Sequence, residues 1–182
     1  MPILENLDLL NDAESTAILS QDGLHRFRLD RSVQSKGPAY AFIGVNPSTA
    51  DATEDDATVR KWRGFVKRWG GAKFAVANLF SFRATDVRVL ATCEHPNVPI
   101  ISDKHIDAVM RNADVIVPCW GNSGKIPRNL RPRIGEILRI AFALGKPIKC
   151  FGLTKSGDPK HPLMLGYDTP LVDYTEEADR GA

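Results

Sequence analysis

Four apolar runs, residues 41–48, 74–80, 115–122 and 148–153, are spaced along this chain with helix-like segments between them. Runs so continuously apolar belong to strands buried on both faces, as in parallel sheets covered by helices. The first intervening segment carries Val59, Trp62, Phe65, Val66 and Trp69 at helical spacing, which predicts a helix from Asp55 or Asp56 to Trp69, stopped at Gly70-Gly71. A short helix is predicted near Asp86 and another over 101–112. The segment 133–144, with Ile134, Ile137, Leu138 and Ala141 on one face, predicts the last, stopped by Gly145-Lys146-Pro147. Strands alternating with helices imply right-handed crossovers and a parallel sheet. Ahead of them, two apolar runs flank Asp22-Gly23, the signature of a hairpin over residues 14–30. The predicted fold is therefore α/β: a three-layer α/β/α sandwich with a four-stranded parallel sheet over residues 39–172, plus an N-terminal β-hairpin.

At 182 residues the chain is expected to form a single domain with a core that needs neither disulfide nor structural metal. A net charge of +2 neither demands nor excludes nucleic acid, because the distribution of the 24 Lys and Arg decides that. Cys93, Cys119 and Cys150 are odd in number and far apart, so free thiols in a reducing cytosol are expected. No run approaches the ~20 apolar residues that span a bilayer, and no membrane association is expected.

The carboxyl ends of parallel strands open on one edge, and ligands of open α/β sheets bind outside it. Asn46, Asn78, Asn122 and His161 follow the four runs and are expected to share one site. In residues 44–48, Gly44 permits close approach of a ligand and Pro47 stiffens the turn presenting Asn46; a plain strand-to-loop turn reads equally well. Asp51, Glu54, Asp55 and Asp56 have the composition of a cation site, but acidic residues before a helix are expected to cap it, and no metal or cofactor is expected. Residues 120–125 resemble a phosphate-cradling loop yet lack the Gly-Lys-Ser/Thr ending of a nucleoside triphosphate loop. His161 has no metal spacing with His25, His95 or His105; its interest is its place beyond the last strand, between Lys160 and Pro162 and near Lys155. No Gly-x-Ser-x-Gly elbow is present.

The runs at 44–51, 78–86, Trp120-Gly121, 152–157 and 161–163 resemble the bacterial and phage family catalogued as domain of unknown function 1643, over roughly residues 15–172. The same motifs, in the same order, more distantly resemble the uracil-DNA glycosylase superfamily. Gly44-Val45-Asn46-Pro47 is similar to the Gly-Ile-Asn-Pro motif of its mismatch-specific branch. Asn78 stands where an Asn reads the base edge, Trp120-Gly121 ends the third strand, and His161-Pro162 follows the fourth. The chain departs from that pattern at His161-Pro162-Leu163-Met164 and at Ser48, which argues against uracil as substrate, and three scattered cysteines argue against an iron–sulfur cluster.

The resemblance implies a glycosylase-like fold and a protein that recognises a base, modified or not, in nucleic acid or nucleotide and hydrolyses its N-glycosidic bond. Asn46 would position water, since an amide cannot act as general base, and His161 would stabilise charge on the departing base. Asn78 and Asn122 would bind the base, and Phe80 or Trp120 would stack on it. Ser48, Lys125, Lys155 and Lys160 would contact phosphate. The alternatives are a binding module that kept the pocket without catalysis, and a small-molecule nucleotide or nucleoside hydrolase.

Overall fold

A computed structural model describes residues 15–175. Ten elements build it: β1 (Thr16–Leu19), β2 (Arg26–Ser32), β3 (Ala39–Gly44), α1 (Ala57–Arg68), β4 (Lys73–Asn78), α2 (Pro99–Arg111), β5 (Val115–Pro118), α3 (Pro132–Ala143), β6 (Lys149–Cys150) and β7 (Val172–Asp173). Local chemistry explains the helix ends. Asp56 accepts the Val59 N–H at 2.9 Å as N-cap of α1, and the helix ends before Gly70, whose φ of 71° suits glycine best. Pro99 and Pro132 open α2 and α3, where a missing N–H costs nothing. Asp86 caps a short 3-10 turn, Val87–Ala91. No helix among the described residues is long and apolar enough to cross a membrane.

The main sheet is mixed, in the order β1-β2-β4-β3-β5. β3 pairs in parallel with both β4 and β5, whereas β2 lies antiparallel on the outer edge of β4 and carries β1 as a hairpin partner. Period-two alternation sends β3 to both faces. Ala41 and Ile43 join Ile106 and Met110 of α2 and Ile137 and Leu138 of α3; Tyr40 and Phe42 join Val59, Trp62 and Phe65 of α1. Phe42 stacks on Trp62 with ring centroids 5.2 Å apart. The α/β class read from the runs is the one observed, with three rather than four parallel strands in the main sheet.

The run at 148–153 gives a strand of only two residues. Ile148 makes one parallel bridge to Ile116, then β6 pairs antiparallel with β7, a strand without a signature in the sequence. Gly152 next adopts φ 86° and Leu153 bridges back to Pro159, so the chain turns where a longer strand was predicted.

β2 meets α2 through an aromatic stack. Phe27 lies between His25 and His105, with centroids at 6.2 and 5.9 Å, and His25 Nδ1 meets the Ser81 hydroxyl at 2.9 Å. Burial lowers the pKa of both histidines, and of His161, below the ordinary 6.5. The unfolded chain therefore takes up protons first, so stability should be full above pH 6.5 and fall as pH drops through the lowered folded values. Urea midpoints between pH 8 and pH 5 check this. A midpoint that stays level or rises on acidification would refute it, and His105→Gln should flatten the slope.

Candidate functional site

The carboxyl ends of the three parallel strands stand level, because Gly44 registers with Asn78 and Ile43 with Pro118. The ladders continue past the strands through Leu79 N–H to Gly44 O, Phe80 N–H to Val45 O and Cys119 N–H to Ile43 O, each at 2.9 Å. The β6–β7 connection joins this edge through Gly121 N–H to Pro159 O at 2.9 Å and Ser123 N–H to the Asp158 carboxylate at 3.0 Å. His161 arrives beside Gly121, where a Cβ would stand 3.1 Å from its own.

Asn78 is the most telling side chain here. It is 6% exposed, and its amide has no hydrogen-bond partner among the described residues. Its Nδ2 lies 2.6 Å from where a Cβ at residue 44 would be, so glycine there lets the amide keep this position. An amide with no protein partner in a largely buried residue keeps its donors and acceptor available to a ligand.

Asn46 is half-buried and tied down, its Nδ2 donating to Ala84 O at 2.7 Å and Pro47 O at 3.2 Å. Its oxygen alone remains for a ligand or water. His161 is half-buried and accepts the Leu163 N–H on Nδ1 at 3.3 Å, which leaves the proton of the neutral ring on Nε2 as a donor. Burial lowers its pKa and Lys125 adds to that, against the pull of Asp56. At neutral pH the ring is a neutral hydrogen-bond donor.

The other predicted residues are distributed differently. Phe80 and Trp120, 3% and 5% exposed, are packed in the core on the α2–α3 face, and the Trp120 indole nitrogen has no partner among the described residues. Asn122 is exposed and spends its oxygen on the Gly124 N–H at 2.7 Å, capping a short turn. Ser48 is half-buried with its carbonyl held by Arg83. Lys125 and Lys155 are exposed, while Lys160 folds back with Nζ 3.7 Å from the Cβ position of Gly152. None of these three lysines forms an ion pair among the described residues.

The acidic run does local work. Asp56 caps α1, Asp55 pairs with Arg31 and Arg63, and Asp51 accepts the Thr53 and Glu54 N–H groups. No group of three or more metal-ligating side chains gathers among the described residues. Burial pushes the Cys119 thiol far above its ordinary range, so it is no nucleophile.

Three arginines went unread in the sequence, although their signal was there: Arg26, Arg28 and Arg31 punctuate an otherwise buried strand. Arg26 and Arg31 are 3% and 1% exposed and, with Arg83, hold the loop that follows β3. A separate pocket lies at the opposite edge, against Ala39 and Lys73 at the starts of β3 and β4, with Arg28, Asp30 and Asn112 in its wall.

No curated protein and no solved structure matches the chain. A family model described as "Protein of unknown function (DUF1643)" matches residues 26–163, which include β2 and the loop arginines as well as Gly44, Asn46, Asn78, Trp120 and His161. Covering most of the chain and the whole of this strand-end site, that match makes the protein a member of the DUF1643 family.

Proposed function

We propose that this protein recognises a nucleobase, in a nucleotide or a nucleic acid, at the carboxyl edge of β3, β4 and β5, and hydrolyses its N-glycosidic bond. The observation that carries the reading is Asn78. A carboxamide offers a donor and an acceptor side by side, as a base edge requires, and this one is nearly buried, unpartnered and given space by Gly44. His161 supplies a neutral Nε2–H to the departing base, and the free oxygen of Asn46 accepts from and orients the attacking water. Lys125, Lys155 and Lys160 attract the phosphates. The parallel bridge from Ile116 to Ile148 supports counting β6 as a fourth parallel strand, in a three-layer sandwich like that of the uracil-DNA glycosylases.

One observation favours the non-catalytic alternative. Asn46 Nδ2 is spent on the carbonyls of Pro47 and Ala84, and its side chain is an amide where a general base would be a carboxylate. A panel of oligonucleotides and nucleotides with varied and modified bases, assayed under single turnover for alkali-labile abasic sites or released base, decides between them. Cleavage of one panel member that Asn78→Ala abolishes is the expected result. Binding without cleavage leaves the module, and neither binding nor cleavage ends the reading.

A further inference from the structure

Arginines of β2 and of the loop after β4 hold four successive carbonyls of the loop between β3 and α1. Arg83 donates to the carbonyls of Ser48 (Nε, 3.3 Å) and Thr49 (Nη2, 3.1 Å), Arg26 to that of Ala50 (2.8 Å), and Arg31 to that of Asp51. The preceding carbonyl, of Pro47, accepts the Ala84 N–H at 2.8 Å, next to Arg83 in sequence. In a trans peptide the N–H points away from the C=O of the same unit. The N–H groups of Ser48, Thr49 and Ala50 therefore face away from the arginines, and none of the three has a protein acceptor among the described residues. The Ser48 and Thr49 hydroxyls likewise have no partner among the described residues.

A second observation concerns charge. Arg26 is 3% exposed and Arg83 half-buried, yet neither forms an ion pair among the described residues, where two cations thus stand behind the loop without a directly bonded counter-ion. Arg31, by contrast, is matched by Asp55 at 2.7 Å. Burial holds Arg26 down to about 10, with Asp56 pulling the other way, so it is still a cation at neutral pH. Buried cations without a bonded counter-ion are costly, and successive unpaired backbone N–H groups form an anion-binding concavity.

We infer that the loop at 48–50 is a phosphate site, the N–H groups and hydroxyls of Ser48 and Thr49 binding the anion while Arg26 and Arg83 supply positive potential from behind. The inference rests on the base-recognition reading only for the ligand's identity as a nucleotide or nucleic-acid phosphate. It assigns the phosphate to backbone donors rather than to the lysine rim alone.

The test is amide NMR on the 15N-labelled protein, titrated separately with inorganic phosphate, the four 5′-deoxynucleoside monophosphates and a single-stranded oligonucleotide. Saturable shifts at the Ser48 and Thr49 amides are expected in every arm, with about tenfold tighter binding of a nucleotide than of phosphate. Arg83→Gln should weaken phosphate binding about fivefold or more; if that variant does not fold, the wild-type shifts decide alone. Tighter, steeply salt-dependent binding of the oligonucleotide would identify the source as a polymer backbone, and parity with the mononucleotide a free nucleotide. Shifts confined to the neighbourhood of Lys125, Lys155 and Lys160, or no saturable shift, would overturn the phosphate site. If the loop amides respond but the Asn78 side-chain amide ignores every nucleotide, the base reading fails and the phosphate site stands.

Discussion

Replacing Gly44 with alanine is expected to weaken base recognition as much as replacing Asn78, although residue 44 would touch no ligand. Its backbone is not in the left-handed region, so alanine adds no local strain, but the new Cβ would stand 2.6 Å from Asn78 Nδ2. The amide must then swing out of the notch, and the loss should match that of a bidentate base contact, about 1–3 kcal/mol or roughly five- to 150-fold in affinity. Affinities of Gly44→Ala, Asn78→Ala and the double variant for the ligand found by base screening check this. The double variant should be no worse than either single one, because both remove the same interaction. Additive losses would mean that Gly44 and Asn78 act separately, and normal binding by Gly44→Ala would remove Asn78 from the site.

The second large effect concerns stability. Arg31 is 1% exposed and spends its donors on Asp55 Oδ1 at 2.7 Å and on the carbonyls of Thr16, Asp30 and Asp51. Asp55 is the only carboxylate paired with it among the described residues, and it also receives Arg63 at 3.1 Å. Asp55→Ala would strand a buried cation, so a loss of about 3–5 kcal/mol in urea unfolding at neutral pH is expected. Arg31→Met should cost less, because it removes the buried charge along with the pair. The opposite ranking, or a loss under about 1 kcal/mol for Asp55→Ala, would contradict this account of the pair.

The arginine brace also bears on Asn46. By resemblance to the uracil-DNA glycosylases, an Asn at this position looks like a lost general base that Asn46→Asp could restore. In the folded protein its Nδ2 donates to two carbonyl oxygens, and a carboxylate there would face them with like partial charge. The residue is a loop tie, with one oxygen left over.

What the sequence determined by itself was whatever depends on neighbours a few positions away. Apolar spacing in α1, its Asp56 cap and its stop at Gly70 are contacts within one or two helical turns, and the unbroken apolar character of β3 reports burial on both faces. Tertiary structure alone decided the pairings between distant parts. β2 covers β4 because that strand's outer edge had ladder groups to satisfy, and β6 shortens because Gly152 and Pro159 turn the chain back on itself. Phe80 and Trp120, apolar residues at strand ends, could equally face a ligand or the core; packing of α2 and α3 against the sheet put both in the core. The loop arginines reach acceptors 20 to 35 residues away, and no local pattern records which carbonyl a long cationic side chain will meet. That choice followed from the sheet bringing β2, the loop after β3 and the loop after β4 to one corner, where buried guanidinium groups must find oxygen acceptors.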